Sequence, residues 1–230
     1  MERKIKVIGF DADDTLWVNE PYYRETEDSF YELINEYGDK ESIIQKLLEV
    51  EVSNIELYGF GTKAFMLSLI ETALFVSDYR ISQQKIGEII KLGQVQIERV
   101  NEILPDVEKV LSELSKKYRL IIASKGDLLD QERKLKNSGL LQYFHHIEIM
   151  SDKKMENYKQ LLAHLDIQHH EFLMIGNSMK SDIIPIIELG GSAIHIPFHT
   201  TWIYEEIKFG NLPHSRFKKV KSISDILEIL

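Results

Sequence analysis

Residues Lys4 to Trp17 read KIKVIGFDADDTLW. Ile5, Val7, Ile8 and Phe10 form a short apolar run rich in β-branched and aromatic residues, the pattern of a strand buried on both faces. The run stops at Asp11-Ala12-Asp13-Asp14-Thr15. Three carboxylates at the carboxyl end of a buried strand repel one another and lose hydration, and a cation or a chemical role relieves that cost. The carboxyl ends of strands are also where open α/β sheets bind ligands. Side chains two apart on an extended chain face the same way, so Asp11 and Asp13 address one pocket while Ala12 turns aside. Two such carboxylates, with room for Mg²⁺ between them, suit phosphoryl chemistry: one attacks phosphorus and the other protonates the leaving oxygen. The plain alternative is an Asp-rich turn that ends a strand. The rest of the chain decides between them.

The chain of 230 residues is long enough for one large domain, or for a domain carrying a smaller insertion. Hydrophobic residues make up 43%, enough to fill a core. The formal charge of −9 argues against nucleic acid or an anionic membrane as the main partner, because phosphate backbones are bound by basic surfaces. A small phosphorylated substrate needs only local positive charge and a metal, and stays open. With no cysteine, disulfides, thiolate catalysis and Cys-based zinc sites are excluded. The apolar run near the N-terminus is too short for a signal peptide, and no uninterrupted apolar stretch is long enough to cross a bilayer. The expectation is a cytoplasmic protein.

After Trp17 the period changes. Helical spacing predicts helices over Glu20–Tyr37, Lys40–Ile55, Thr62–Val76 and Ser82–Val100, with Gly38 as a stop and Tyr58-Gly59-Phe60-Gly61 as a break. The third is apolar nearly all round and is expected at the buried centre of a small bundle. From Pro105 the rhythm alternates. An amphipathic helix over Asp106–Tyr118 precedes a strand over Arg119–Ala123 that ends at Ser124-Lys125-Gly126. Further strands are expected at His146–Met150, ending at Lys153-Lys154, and at Glu171–Ile175, ending at Gly176-Asn177-Ser178. Others follow at Ser192–Pro197 and Lys218–Val220, with helices over Leu128–Ser138, Met155–Leu165, Ser181–Leu189 and from Ser224. Strand–helix units joined by short loops imply an α/β fold: a three-layer, Rossmann-like core with a parallel sheet. The expected division is a core of residues 1–17 and 101–230 and an all-α insertion of residues 18–100. Four strands end in polar, chemically useful residues: Asp11 and Asp13, Ser124, Lys153, and Asn177 with Asp182.

In that order and spacing the chain resembles the haloacid dehalogenase-like (HAD) hydrolase superfamily, in its phosphatase-type members. DADDT is similar to the family's first motif, DxDx[TV]; Ser124 after RLIIA to the second-motif Ser/Thr; Lys153 after HIEIMSD to the third-motif Lys; and GNSMKSD at 176–182 to the fourth, acidic motif. The insertion stands where the family places an α-helical cap. The resemblance implies Asp11 as nucleophile and Mg²⁺ ligand, and Asp13 as general acid/base whose carbonyl also meets the metal. It implies Ser124, with the N–H groups of Lys125 and Gly126, as the phosphoryl site. Lys153 is then the cation that neutralises phosphate and holds Asp11 ionised, and Asn177 and Asp182 are further metal ligands. The fourth motif departs from the family's more usual Asp in having Asn177, whose amide oxygen ligates without charge, so Asp182 should matter more. Lys153 is preferred to Lys154 because it directly follows the strand end. Each residue also has a simpler reading: Ser124 as a helix N-cap, Lys153 as a surface lysine, Asp182 as a first-turn Asp favoured by the helix dipole. Tyr58–Gly61 and Lys63 are either a substrate-facing loop or a simple helix–helix turn. No role is assigned to His145, His146, His164, His195, His199 or Trp202.

The implied activity is Mg²⁺-dependent hydrolysis of a small phosphomonoester through an aspartyl phosphate. Rivals on the same fold are haloacid dehalogenation, which needs neither the proton donor Asp13 nor a metal, phosphomutase activity, and a non-enzymatic binding role. Nothing in the residues fixes the substrate or the oligomeric state.

Overall fold

The computed structural model describes residues 5–207, 212–213 and 215–230; the basic start of the chain, residues 1–4, lies outside the described residues. The chain divides into two compact units: one of Met1–Glu20, Asn101–Lys125 and Gln131–Leu230, the other of Pro21–Val100 and Gly126–Asp130.

The first unit is built on β1 (Val7–Phe10), every residue of which is buried. It is joined by β2 (Arg119–Lys125), β3 (His146–Met150), β4 (Phe172–Gly176), β5 (Ser192–His195) and β6 (Phe217–Lys219) in a parallel sheet of order β3-β2-β1-β4-β5-β6. β1 is central because it can bury both faces. Ile8 and Phe10 join a cluster with Val107, Val110, Leu111 and Leu114 of the helix Val107–Leu114 and with Ile223 and Ile226. Val7 turns the other way, toward Tyr158, Leu161, Ile183 and Ile186. Each such side chain contributes roughly 1.5–3 kcal/mol on leaving water. The result is the expected α/β core with helices on both faces of a parallel sheet. β1 aligns Phe10 with Ile122 of β2 and Ile175 of β4, so Asp11 leaves β1 between two strands that end at Lys125 and Gly176.

The second unit is helical. It contains most of α1 (Glu20–Ile34), then α2 (Lys40–Tyr58), α3 (Thr62–Val76) and α4 (Gln83–Glu98). Asp39 and Ser82 cap α2 and α4 by accepting from the N–H groups of Ser42 and Lys85. Phe30, Ile34, Ile43, Leu47, Phe65, Leu69, Ala73 and Ile89 form its core. α3 packs on both α2 and α4, as its apolar sequence suggests, but it is not buried all round: Leu67 and Phe75 are exposed. Gly93 of α4 lies so close to α3 that a Cβ there would sit 2.6 Å from Met66.

In the first unit α5 (Val107–Leu114), α6 (Leu128–Ser138), α7 (Met155–His164) and α8 (Ile184–Leu189) link the strands; α6 starts in residues grouped with the helical unit. The helix expected over Ser181–Leu189 is in two parts, a π-turn Met179–Ile183 and then α8. Pro185 has no N–H to give the Ser181 carbonyl, which instead accepts from the Tyr158 hydroxyl at 3.0 Å. The helix expected from Ser224 is a 3₁₀ turn over Ile223–Glu228. Among the described residues no helix is long and apolar enough to cross a membrane.

Candidate active site

The ladder carries Asp11 one step past β1: its N–H donates to the Ile175 carbonyl at 2.9 Å, which fixes its backbone against β4. The chain then folds back on itself. Asp14 adopts a left-handed backbone (φ 59°), a conformation Asp tolerates, and its carboxylate accepts from the N–H groups of Asn19 and Glu20 at the start of α1. The outgoing strand end also pairs with the returning chain, Val18 with Glu102 and Leu104 with Leu16.

Around Asp11 the strand ends converge. Lys153, which follows β3, is 3% exposed; its Nζ donates to Asp11 Oδ1 and, at 2.6 Å, to Asp182 Oδ1. Lys154 is exposed and pairs with Asp152 at 2.9 Å, so the structure brings Lys153 and not Lys154 to Asp11. The other oxygen of Asp182 accepts from the Ser178 N–H at 2.9 Å. This close approach requires Gly176: a Cβ there would lie 2.2 Å from Asp182 Oδ2. Thr15 Oγ lies 3.1 Å from Asp11 Oδ2 and 3.3 Å from Asn177 Oδ1. Ser124, at the end of β2, is buried, and its hydroxyl makes one long contact of 3.5 Å with the Lys125 carbonyl. Gly126 takes up φ 137° and opens the segment grouped with the helical unit.

Asp13 is held separately. Trp17 Nε1 (2.7 Å) and Lys134 Nζ (3.0 Å) donate to one carboxylate oxygen, and Gln131 Nε2 (2.7 Å) to the other. Lys134 also donates to Asn19 at 2.8 Å. Gln131 and Lys134 are three apart on α6, hence on one face.

The electrostatics differ between the two aspartates. Burial pushes the Asp11 carboxyl up to about 7; the charges of Asp182 and Asp13 act in the same sense and Lys153 opposes them. Burial also acts on Asp13, but the Lys134 charge and the three donors outweigh it and hold the group below the usual carboxylate range. Lys153 is held well above its ordinary value: burial acts against its charge, and Asp11 and Asp182 overcome it.

Among the described residues no group of three or more His, Asp or Glu side chains is arranged to hold a metal ion. Asp182, expected as a ligand, has both oxygens engaged by Lys153 and Ser178. The oxygens of Asp11 and Asn177 do converge on the Thr15 hydroxyl, which has one proton to share between them. Asp11 and Asp182 also bring two negative charges to one ammonium. Oxygen ligands and surplus negative charge are the conditions a hard divalent cation meets. Asp11 and Asn177 thus present oxygens of the kind such a cation takes.

Of the residues singled out in the sequence, Asp11, Lys153 and Asp182 are in direct contact, and Thr15 links Asp11 to Asn177. Sequence reasoning missed Gln131, Lys134 and the indole of Trp17 as partners of Asp13. Their helical spacing was visible, but not which face of α6 turns toward β1.

A sequence model of the haloacid dehalogenase-like hydrolases matches residues 5–190. The chain belongs to this family. A haloacid dehalogenase-like family hydrolase from Xanthomonas campestris shares 33% identity and superposes with a TM-score of 0.86, over 98% of this chain and 91% of that one. The L-2-haloacid dehalogenase of Xanthobacter autotrophicus, 17% identical with a TM-score of 0.69 and 98% of each chain covered, shares the fold. The human N-acylneuraminate-9-phosphatase is 24% identical over 132 residues, 54% of this chain and 51% of that protein. The chain thus spans about half the length of the curated relatives it matches.

Proposed function

We propose that this HAD-family hydrolase is a Mg²⁺-dependent phosphatase acting on a small phosphomonoester through an aspartyl-phosphate intermediate. The observation that carries the reading is the second carboxylate. Asp13 stands two residues after Asp11 with hydrogen-bond partners of its own, Trp17, Gln131 and Lys134, distinct from those of the Asp11–Lys153–Asp182 cluster. Displacement of halide from carbon has no use for such a proton carrier, whereas an alkoxide leaving from phosphorus needs one. The distant likeness to a phosphatase supports the same choice.

In this reading Asp11 Oδ attacks phosphorus, the bond to the leaving oxygen breaks, and that oxygen takes a proton from Asp13. Water then attacks the phosphoryl group on Asp11 and gives its proton to Asp13; the P–O bond to Asp11 breaks and phosphate leaves. Against burial, the Lys134 charge and the donors around Asp13 hold its carboxyl below the usual carboxylate range, which favours the ionised form that the second step uses. In the first step Asp13 must be protonated when the leaving oxygen takes its proton. Lys153 pairs with Asp11 and offsets the charge of the incoming phosphoryl group, which the Ser124 hydroxyl and the N–H groups of Lys125 and Gly126 bind. Asp182 fixes Lys153. Bound Mg²⁺, on Asp11, Asn177, Asp182 and the Asp13 main chain, would neutralise charge as it develops on phosphorus. A core of residues 1–17 and 101–230 and a cap of residues 18–100 belong to this reading.

The test is a screen of phosphorylated metabolites for phosphate release with Mg²⁺ and with excess chelator. Release that chelation abolishes and Mg²⁺ restores is expected. Undiminished turnover in chelator, or chloride release from 2-chloropropionate without phosphatase activity, would overturn it.

A further inference from the structure

The segment between β5 and β6 carries a charged group that the phosphatase chemistry does not use. The chain passes Trp202 and enters a 3₁₀ turn, Ile203–Glu205. The rings of Trp202 and Tyr204 lie 4.9 Å apart, and Lys180 Nζ sits 3.1 Å over the Tyr204 ring and donates to the Tyr204 carbonyl at 2.9 Å. These ties set the Glu205 carboxylate against the ends of β2 and β4. There Lys125 Nζ donates to one of its oxygens, and the hydroxyls of Ser178 and Ser181 donate to the other, the latter at 2.7 Å. Lys125 Nζ also donates to Ser181 Oγ at 2.9 Å.

An ammonium and two hydroxyls from two strand ends thus converge on one carboxylate. Charge-assisted donors of this kind recognise oxyanions. They hold Glu205 below the usual carboxylate range although burial acts the other way. The donors and the acceptor differ in how they are carried. Lys125 is the last residue of β2, and Ser178 and Ser181 sit in the buried turn that also bears Asp182. Glu205 sits on a single short turn between the exposed Ile203 and Glu206.

We propose that Lys125, Ser178 and Ser181 form an oxyanion site that takes a carboxylate or phosphate group of a ligand, and that Glu205 fills it in the ligand's absence. Glu205 then competes with the ligand for the same donors and sets how tightly anions are held. The proposal rests on the phosphatase reading only for where the anion comes from, the transferred phosphoryl group or a carboxylate elsewhere on the substrate.

The experiment uses Glu205→Ala, the double variant with Lys125→Ala, and the wild type. Each is melted in sodium acetate, in sodium phosphate, and in sodium chloride of equal ionic strength. Acetate or phosphate is expected to raise the melting temperature of Glu205→Ala by about 3 °C more than that of the wild type. The double variant loses the gain. A response to phosphate alone assigns the site to the phosphoryl group; a response to acetate alone assigns it to a substrate carboxylate. Should Glu205→Ala not fold, Glu205→Gln keeps the shape and loses the charge, and calorimetry should show inorganic phosphate bound about tenfold more tightly than by the wild type. Equal shifts in all three proteins, or phosphate bound no more tightly by Glu205→Gln, would refute the site. The phosphatase reading fails separately, by the absence of phosphate release from the wild type.

Discussion

Replacing Lys153 with Met keeps the length of the side chain and removes the ammonium between Asp11 and Asp182. These carboxylates are 7% and 0% exposed, so water cannot take over the lost charge. Removing one partner of a buried ion pair costs about 3–5 kcal/mol. A domain stable by about 5–15 kcal/mol survives that loss at room temperature, with a melting point lowered by roughly 6–20 °C. The loss must depend on pH, and the sign follows from Asp11. With the ammonium gone, the Asp182 charge faces Asp11 unopposed, and the Asp11 carboxyl, already up at about 7, rises further above its ordinary 3.8. The folded variant then binds a proton that the unfolded chain has released, so its stability increases as pH falls from about 8 toward 4. Lys153 itself has a raised value, so its contribution in the wild type is complete below about 10.5 and is lost only above that. Urea unfolding followed on Trp17 and Trp202 fluorescence, both in the sheet-bearing unit, reads the difference. The deficit should be about 3–5 kcal/mol at pH 8.5 and smaller at pH 5. A deficit under 1 kcal/mol at pH 8.5, or one that does not shrink at pH 5, would show that the cluster is not a buried charge network.

Other outcomes follow from the same geometry. Asp11→Asn should abolish turnover of every phosphate ester. Asp13→Ala should lose far more activity on an alkyl ester than on nitrophenyl phosphate, and should show a nitrophenolate burst with phosphate trapped on Asp11; equal losses with no burst would remove Asp13 from proton transfer. Asp14→Asn keeps the cap on α1 but removes a carboxyl that burial, helped by the charges of Asp13 and Glu20, pushes up to about 8. The native chain holds that proton between about 4 and 8, so wild-type stability falls across the window. The variant should be about 1–3 kcal/mol more stable at pH 8 and no more stable at pH 4, as read by chemical unfolding. Gly176→Ala puts a Cβ 2.2 Å from Asp182 Oδ2, and should both lower stability by roughly 1–3 kcal/mol and reduce turnover sharply; a variant with wild-type activity would mean that Asp182 can move freely.

What the sequence revealed depended on local pattern. β1 was legible because VIGF is apolar without a break and the acids follow at once. The alternation after Pro105 was legible because strand and helix periods differ. The partners of Asp13 were not, because Gln131 and Lys134 are ordinary residues on a helix whose rotation is set by its packing. Glu205 gave no signal at all: it sits in an irregular segment, and only the sheet order, which sets β5 beside β4, brings that segment to Lys125 and Ser178. The engagement of both Asp182 oxygens was hidden for a similar reason, since it depends on a π-turn that Pro185 shapes. Motif order located the strand ends, while the hydrogen-bond partners of each end came from long-range packing.

The place of β1 in the sheet also bears on how the chain is made. β1 leaves the ribosome first, yet its neighbours are β2, whose pairing begins at Arg119, and β4, whose pairing begins at Phe172. At a synthesis rate of ~5–20 residues per second, roughly 5–20 s separate the end of β1 from its first strand partner. Throughout that interval a fully apolar strand with unpaired backbone groups is tethered to a helical insertion that has its own core and can fold meanwhile. The acids that follow β1 are made with it, but Lys153, which engages Asp11, and Asp182, which engages Lys153, come only when most of the chain has been made.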